Sequence, residues 1–164
     1  MGGDHGVGKT ALISRFLEDR FPTEYNYTIG VNLFNKIIEV EGNRCDLRIW
    51  DLGGEERFRL LLINFVTGAS GAILMFDLTH PKSFYNLEEW IKILRKDNLD
   101  LPIILVGTKS DRRESLELDD QIVLEFVEQY NISYYIKISS KLGENVDKTF
   151  EILTREIIKQ NIQK

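Results

Sequence analysis

The strongest chemical signal in the sequence is the phosphate-binding pattern GxxxxGK(S/T), formed by Gly3, Gly8, Lys9 and Thr10. In such a loop, backbone N–H groups and a helix N-terminus surround a phosphate chain. Lys9 would reach the β- and γ-phosphates, and the Thr10 hydroxyl would be a ligand of Mg²⁺, which prefers oxygen. An ordinary glycine-rich loop would match this pattern in roughly one per cent of chains of this length or fewer. The pattern predicts a nucleotide site without choosing between ATP and GTP.

The elements that position this loop alternate between helices and strands. Residues 9–20 have apolar side chains at helical spacing, and Pro22 prevents the helix from continuing beyond Phe21. Residues 31–40 and 45–51 predict one antiparallel hairpin, with its turn at Gly42 and Asn43. Further apolar patterns predict parallel strands at residues 71–76, 102–106 and 132–138, and helices around residues 84–94, 122–126 and 146–157. The sequence therefore predicts an α/β fold with a mostly parallel sheet, whose loops meet at the carboxyl edge of the strands.

The composition limits the classes of function. With 164 residues, 43% of them hydrophobic and 29% charged, the chain predicts a single domain over residues 1–164. It contains neither a long apolar run typical of a membrane helix nor a signal-peptide pattern, and its single cysteine, Cys45, excludes an internal disulfide. These features predict a cytoplasmic protein. The net charge of −5 argues against nucleic-acid binding, because no excess of Lys and Arg meets the phosphates.

Five segments resemble the Ras superfamily, in that family's order, and together they span nearly the whole chain. They are the phosphate loop, Tyr25 with Thr28, residues 50–54, residues 108–111 and residues 139–141. The resemblance implies a P-loop NTPase fold, a Ras-like three-layer sandwich, that binds GTP or GDP with Mg²⁺. It implies nucleotide contacts by Gly3, Asp4, His5, Gly6, Val7, Gly8, Lys9, Thr10, Ala11, Phe21, Tyr25, Thr28, Gly54, Thr108, Lys109, Asp111, Ser139, Ser140 and Lys141.

Residues 108–111 resemble the family element that reads guanine. A carboxylate at Asp111 would accept from N1–H and the 2-amino group of guanine, whereas adenine lacks this donor pair. Lys109 would lie along the base and ribose, and Thr108 replaces the commoner Asn. A backbone N–H near Ser140 would meet the guanine O6. Phe21 would give an aromatic edge to the base, although a core position is the usual role of a Phe.

Two further segments resemble the family's switches. The Thr28 hydroxyl would complete the Mg²⁺ shell, and Asp51 would act on Mg²⁺ through water, so that the metal residues are Thr10, Thr28 and Asp51. The Gly54 N–H would sense the γ-phosphate, and loss of that phosphate would release both switches. Considered singly, Thr28 or Asp51 is more often an ordinary surface residue.

Residues 28–32, 36–40, 48–51 and 56–58 are most similar to the Rab branch of the superfamily. Effectors, exchange factors and GTPase-activating proteins would then bind through residues 25–34 and 52–65, and the chain would act as a monomer. Ile29, Phe34, Trp50 and Phe58 would either form this partner surface or fill the core under the hairpin. Rab proteins are anchored to membranes by prenylation of a terminal Cys. This sequence shows no such Cys, so no lipid anchor is expected from it.

Two positions depart from the family pattern. The resemblance implies catalytic positions at Lys9, Thr28, Gly54 and Glu55, but most relatives have Gln at the position of Glu55, where it orients the attacking water. A carboxylate cannot donate to the γ-phosphate and adds negative charge beside it, so slow hydrolysis follows. His5 occupies a position that is most often Gly. Its ring would obstruct an incoming arginine finger, donate to phosphate, or simply face solvent.

The usual first strand has no counterpart in the sequence, because only Met1 and Gly2 precede the loop. Its neighbours could not pair across a vacancy of one strand. A shortened sequence, a rearranged sheet or a strand from another chain would each explain the pattern.

Three functions compete at this stage. The first is a GTPase switch that cycles between GTP and GDP, and the second is a GTP-binding module that does not hydrolyse GTP. Measurement of GTP turnover distinguishes them. A small-molecule kinase is disfavoured, because the length is taken up by switch-like and guanine-reading segments and no lid for a second substrate is evident.

Overall fold

The computed structural model of the protein describes residues 1–22, 28, 30–55, 64–112 and 118–162. Within these ranges the strands are β1 (Gly2–Gly3), β2 (Val31–Val40), β3 (Asn43–Leu52), β4 (Ala72–Asp77), β5 (Ile103–Thr108) and β6 (Tyr134–Lys137). The helices in the same ranges are α1 (Lys9–Glu18), α2 (Lys82–Tyr85), α3 (Leu87–Leu94), α4 (Asp120–Gln129) and α5 (Val146–Ile162).

A parallel sheet forms the centre of the fold, with strand order β1-β4-β5-β6. Successive residues of β4 point to opposite faces, so Leu74 and Phe76 pack with α2, α3 and α4, while Ile73 and Met75 pack with α1 and α5. Helices therefore cover both faces of the sheet, and the predicted three-layer α/β fold is confirmed. The burial of every residue of β4 and β5 explains why their sequences are unbroken apolar runs.

The first strand is present but reduced to two residues, which corrects the expectation that it is missing. Gly2 and Gly3 pair in parallel with Leu74 and Met75 of β4. Gly3 has φ +137°, and a Cβ there would lie 2.4 Å from the Met75 carbonyl oxygen, so a larger residue would not fit. The Leu52 N–H of β3 donates to the Met1 carbonyl at 3.3 Å.

Beyond this short strand, β3 and β4 do not pair with each other in the described part of the chain. They border a cavity of about 510 Å³ whose other wall is α5. The sequence-based expectation that the two strands cannot pair directly across the gap agrees with this arrangement.

The hairpin of β2 and β3 is antiparallel and ten residue pairs long, from Val31 with Leu52 to Val40 with Asn43. Its turn is Glu41–Gly42 and not Gly42–Asn43, because both turn residues have positive φ, 52° and 75°. Two such residues make the turn whose twist matches that of the flanking strands. Asn43 instead begins β3.

Two helices differ from the sequence prediction. Helix α1 ends at Glu18 and not at Arg20, because Asp19 adopts the left-handed conformation at φ 53° and its N–H donates to the Arg15 carbonyl. The predicted helix over residues 84–94 is interrupted at Asn86 and forms α2 and α3. None of the helices in the described ranges is long and apolar enough to cross a membrane.

Candidate functional site

The carboxyl ends of the strands bring the predicted site residues to one edge of the sheet. The phosphate loop follows β1, Asp51 lies at the end of β3, residues 108–111 leave β5, and Ser139 follows β6. This is the edge at which open α/β sheets bind ligands.

The phosphate loop leads into α1 through Gly8, whose φ of 99° is left-handed. The N-cap residue is Gly8, which makes no side-chain cap hydrogen bond, and a helix N-terminus that follows a glycine-rich loop suits an anion. Lys9 is only 6% exposed, and its ammonium donates to the carbonyls of Gly3 at 2.8 Å and Asp4 at 2.9 Å. The loop therefore holds one positive charge beside a helix N-terminus, an arrangement suited to phosphate.

Three oxygen-bearing side chains meet next to this loop. The Thr10 hydroxyl lies 2.7 Å from Asp51 Oδ2 and 2.8 Å from the Thr28 hydroxyl, which is itself 3.2 Å from Asp51 Oδ2. Asp51 is fully buried, and its Oδ1 has no hydrogen-bond partner among the described residues. An unpaired buried carboxylate oxygen is costly, and a hard cation would satisfy it. The donor set of two hydroxyls and a carboxylate therefore fits Mg²⁺, as the sequence predicts.

Thr108 ties the phosphate loop to the sheet. Its buried hydroxyl donates to the Val7 carbonyl at 2.7 Å, and the Phe76 carbonyl lies 3.0 Å from the same oxygen. The amide that the commoner Asn would offer is thus replaced here by a hydroxyl in contact with the loop backbone.

The isosteric change Thr108→Val is expected to lower the free energy of unfolding by about 1–3 kcal/mol, because it removes a buried donor and leaves loop carbonyls with fewer partners. Urea unfolding of the nucleotide-free protein measures this loss. The exposed change Thr67→Val is a control that removes a hydroxyl from the other end of the sheet. An unchanged unfolding midpoint for Thr108→Val would show that the tether contributes nothing.

Lys109 links the phosphate loop to the end of β4. Its φ is 61°, and its ammonium donates to the Gly6 carbonyl at 3.1 Å and to Asp77 Oδ2 at 2.5 Å. Burial would raise the pKa of Asp77, but hydrogen bonds from Lys109 and Thr79 outweigh it and hold the pKa below its ordinary value. Asp77 is therefore ionised at neutral pH and fixes Lys109 over the loop.

Asp111 follows on the same turn. Its Oδ1 accepts a hydrogen bond from the buried Ser139 hydroxyl at 2.7 Å. Ser139 Oγ also accepts from the Leu142 N–H at 3.1 Å. The structure thus joins residues 108–111 to residues 139–142, two segments that the sequence places 28 residues apart.

Comparisons with known proteins agree with this geometry. The family model described as "Ras family" matches residues 1–159. The chain belongs to the Ras family. It is 35% identical to Ras-related protein Rab-13 of Canis lupus familiaris over 95% of this chain and 77% of that protein. It is 38% identical to Ras-related protein YPTC6 of Chlamydomonas reinhardtii over 94% of this chain and 72% of that protein, and 35% identical to Ras-related protein SEC4 of Candida albicans over 98% and 77%. The resemblance to the Rab branch is thereby confirmed.

Gly53 and Gly54 bring the segment after β3 of this Ras family protein against the phosphate loop. The Gly53 N–H donates to the Gly30 carbonyl at 2.8 Å. A Cβ on Gly54 would lie 2.4 Å from the His5 backbone nitrogen, so only glycine allows this approach. Glu55 is the next residue and is half-buried, whereas the His5 side chain is exposed. The two departures from the family pattern therefore lie beside one contact, between the segment after β3 and the phosphate loop.

The sequence did not predict the residues that hold the outer side of the loop. The Asp4 carboxylate accepts from Asn86 Nδ2 at 2.6 Å and from Trp90 Nε1 at 3.0 Å, and Trp90 is fully buried. Asn86 immediately precedes α3, and Trp90 lies within α3 four residues later, a spacing that places two residues on the same side of a helix. That spacing was the available signal, but nothing in the sequence relates it to a loop 82 residues away.

The remaining predicted site residues differ in burial and location. Phe21 is 37% exposed, so it is not a core residue, and Ala11 is half-buried in α1. Ser140 and Lys141 lie on the loop after β6, where Ser140 is half-buried and Lys141 is exposed. Tyr25, Ile29 and Phe58 lie outside the described residues.

Proposed function

We propose that this Rab-like member of the Ras family is a switch that binds GTP or GDP at residues 3–10 with Mg²⁺, and that it hydrolyses GTP slowly. Membership of the family supports GTP binding and hydrolysis in general. The observation that carries the specific site is the meeting of Thr10, Thr28 and Asp51 oxygens within 3.2 Å, with a buried Asp51 oxygen left unpaired.

Each part of the site has a separate task in this proposal. Thr10, Thr28 and Asp51 hold Mg²⁺, which when bound neutralises charge on the β- and γ-phosphates. Lys9 supplies a second positive charge to the same oxygens. The Gly54 N–H senses the γ-phosphate from its place against the loop.

The first switch is the part that responds to the nucleotide. Thr28 is the only one of the three metal residues that lies between two rigid elements, α1 and β2. The Thr28 hydroxyl would hold Mg²⁺ and its backbone would meet the γ-phosphate, so loss of that phosphate would release this segment. The same change reaches β3 through the Gly53–Gly30 hydrogen bond.

Slow hydrolysis follows from Glu55. Water attack on the γ-phosphate needs a group that accepts from water and donates to the phosphate, and a carboxylate only accepts. Its charge also opposes the negative charge that develops on the phosphate oxygens. Family membership favours a hydrolase over a nonhydrolysing module.

Single-turnover phosphate release from GTP-loaded protein, with and without excess EDTA, tests the proposed function. We expect one phosphate per protein in the presence of Mg²⁺, and none when the metal is removed and the nucleotide leaves. Absence of stable GTP binding in Mg²⁺ would contradict the proposal. A phosphate-release rate equal to that of relatives with Gln at this position would contradict the slow step alone.

We also propose that partners bind through residues 25–34 and 52–65, together with the exposed side chain of Trp50 on the hairpin. Trp50 is 39% exposed, and its ring centroid lies 5.8 Å from that of the 43% exposed Phe65. Leu33 pairs with Trp50 across the strands and is 48% exposed. Phe34 instead packs against the core under the hairpin, so Leu33 takes the surface role considered for Phe34. An exposed apolar group of this kind supports a role in binding a protein.

The change Leu33→Asp is expected to abolish capture of a GTP-dependent partner while leaving nucleotide binding unchanged, because it places a charge in the apolar surface without touching the phosphate loop. Capture by GTP-loaded against GDP-loaded protein measures this. Leu124→Asp, on the exposed side of α4, is the matched control. Equal capture by wild type and the Leu33 variant would contradict the surface assignment.

A further inference from the structure

Arg15 connects the helix of the phosphate loop with the loop that follows β6. It lies on α1, six residues after Lys9, and its side chain is 18% exposed. Its Nε donates to the Ser140 carbonyl at 2.9 Å, and its Nη2 donates to the Lys141 carbonyl at 2.7 Å. The third donor, Nη1, reaches the Asp19 carbonyl at 2.8 Å at the end of the same helix. One planar guanidinium thus links three backbone carbonyls.

The loop that it holds has few other supports. Ser139 and Glu144 fix its two ends through paired backbone hydrogen bonds of 3.2 and 3.0 Å. Between them, Lys141 and Gly143 are exposed, and Leu142 is 57% exposed. No other side chain of the described residues donates to the carbonyls of Ser140 or Lys141. The Leu142 N–H also donates to Ser139 Oγ at 3.1 Å, and Arg15 supplies the side-chain bonds to the two carbonyls in the middle of the loop.

The acidic partner of Arg15 is not the reason for its position. Asp19 Oδ1 lies 3.1 Å from Nη1, but the Asp19 side chain is 95% exposed. An ion pair so open to water contributes little. The two bonds to the loop carbonyls are charge-assisted, and the one to Ser140 is partly buried, so they contribute more than the exposed ion pair.

A peptide group is planar, so fixing the Ser140 carbonyl also fixes the N–H of Lys141 in the same plane. Fixing the Lys141 carbonyl sets the orientation of the next plane. The Leu142 N–H of that next plane already donates to Ser139 Oγ. The Lys141 N–H is therefore the N–H near Ser140 whose direction Arg15 sets, and a donor at this place is expected to bind the guanine O6.

We propose that Arg15 is a positioning residue for base recognition: from the helix of the phosphate loop, it holds the Ser140–Lys141 backbone in the orientation that reads the guanine O6. This inference rests on the proposed function, because it assigns a specificity role within the same site. It adds a residue that touches neither base nor phosphate.

Three nucleotides separate this role from general stabilisation. GDP, 6-thio-GDP and IDP differ at one position each, since sulfur replaces O6 in the second and the 2-amino group is absent in the third. Arg15→Ala is expected to reduce the preference for GDP over 6-thio-GDP by about fivefold, the size of one lost hydrogen bond. The preference for GDP over IDP depends on Asp111 and is expected to stay unchanged.

Dissociation constants for the three nucleotides are measured on wild type, Arg15→Ala, Arg15→Lys and Arg20→Ala. Arg15→Lys keeps the positive charge but cannot donate to two carbonyls from one planar group. This variant is expected to keep the fold and to lose part of the preference for GDP over 6-thio-GDP. Arg20→Ala removes an exposed Arg just beyond the same helix and is expected to behave as wild type.

The outcomes are distinct. A selective fall of the GDP to 6-thio-GDP ratio in both Arg15 variants supports the inference. Equal weakening of all three nucleotides, or unchanged ratios, would overturn it and leave the proposed function standing. A wild-type protein that prefers no guanine nucleotide over ADP would overturn the proposed function itself.

Discussion

Replacing Asp111 by asparagine is expected to weaken GDP binding by about a hundredfold or more, because the charged acceptor for N1–H and the 2-amino group is lost. The Asn amide would instead donate to the 2-oxo group of xanthine. Affinity for xanthosine diphosphate is therefore expected to rise while that for GDP falls. Competition against a fluorescent guanine nucleotide and a fluorescent xanthine nucleotide measures both changes.

The fold is expected to tolerate this substitution. Asn retains an oxygen that can accept from the Ser139 hydroxyl, now 2.7 Å from Asp111 Oδ1. Asp120→Asn is the matched control, because Asp120 is 54% exposed on α4 and pairs with Lys137. If the Asp111 variant kept its preference for guanine over xanthine, Asp111 would not be the residue that reads the base.

Introducing glutamine at position 55 is expected to accelerate GTP hydrolysis on the order of 10²-fold. The Gln amide adds one hydrogen-bond donor directed at the negative charge that develops on the phosphate oxygens. Glu55→Gln removes the negative charge and keeps the length of the side chain. Single-turnover phosphate release at saturating Mg²⁺ measures the rate. The affinity for GTP is expected to change far less, because neither Lys9 nor Asp51 is altered.

His5 provides a separate arm of the same experiment. His5→Gly removes the ring from the phosphate loop without changing Glu55, and the double variant shows whether the two positions act together. Both residues lie at the contact between Gly54 and the loop, so some coupling is expected. Equal hydrolysis rates for wild type and Glu55→Gln would show that the carboxylate does not limit the reaction.

The parts of the site that depend on short segments were predicted from the sequence. The phosphate loop is one such segment, because its glycines and Lys9 act through their own backbone. The strands β4 and β5 were also predictable to within two residues, since their complete burial makes them continuous apolar runs. The motif order then placed Thr10, Thr28 and Asp51 together, and the structure brings their oxygens within 3.2 Å.

Contacts that depend on packing between distant elements were not predicted. Arg15 faces a loop 125 residues away, and Asn86, one of the partners of Asp4, is 82 residues away, so no local pattern indicates either pair. The sequence also did not show which side chains of β2 point outward. Phe34 and Leu33 are neighbours in β2, but alternate side chains point to opposite faces, and only the observed register shows that Leu33 is the outer one.

The first strand shows a third limit of sequence reasoning. Two glycines carry none of the apolar or β-branched side chains typical of strands, yet Gly2 and Gly3 pair with β4. Their small size is what permits the approach, because a Cβ on Gly2 would lie 3.1 Å from the Trp90 ring. Packing therefore makes a strand where propensity predicts none.

In the proposed function, the phosphate loop binds the phosphates of a nucleotide while Asp111 selects guanine. Nucleotide competition tests both roles together. Protein loaded with fluorescent GDP in Mg²⁺ is titrated with GDP, GTP, ADP and ATP. We expect the guanine nucleotides to displace the probe at stoichiometric concentrations and the adenine nucleotides to fail even in large excess. Displacement by ADP as readily as by GDP would contradict the assignment of Asp111 and of the whole site.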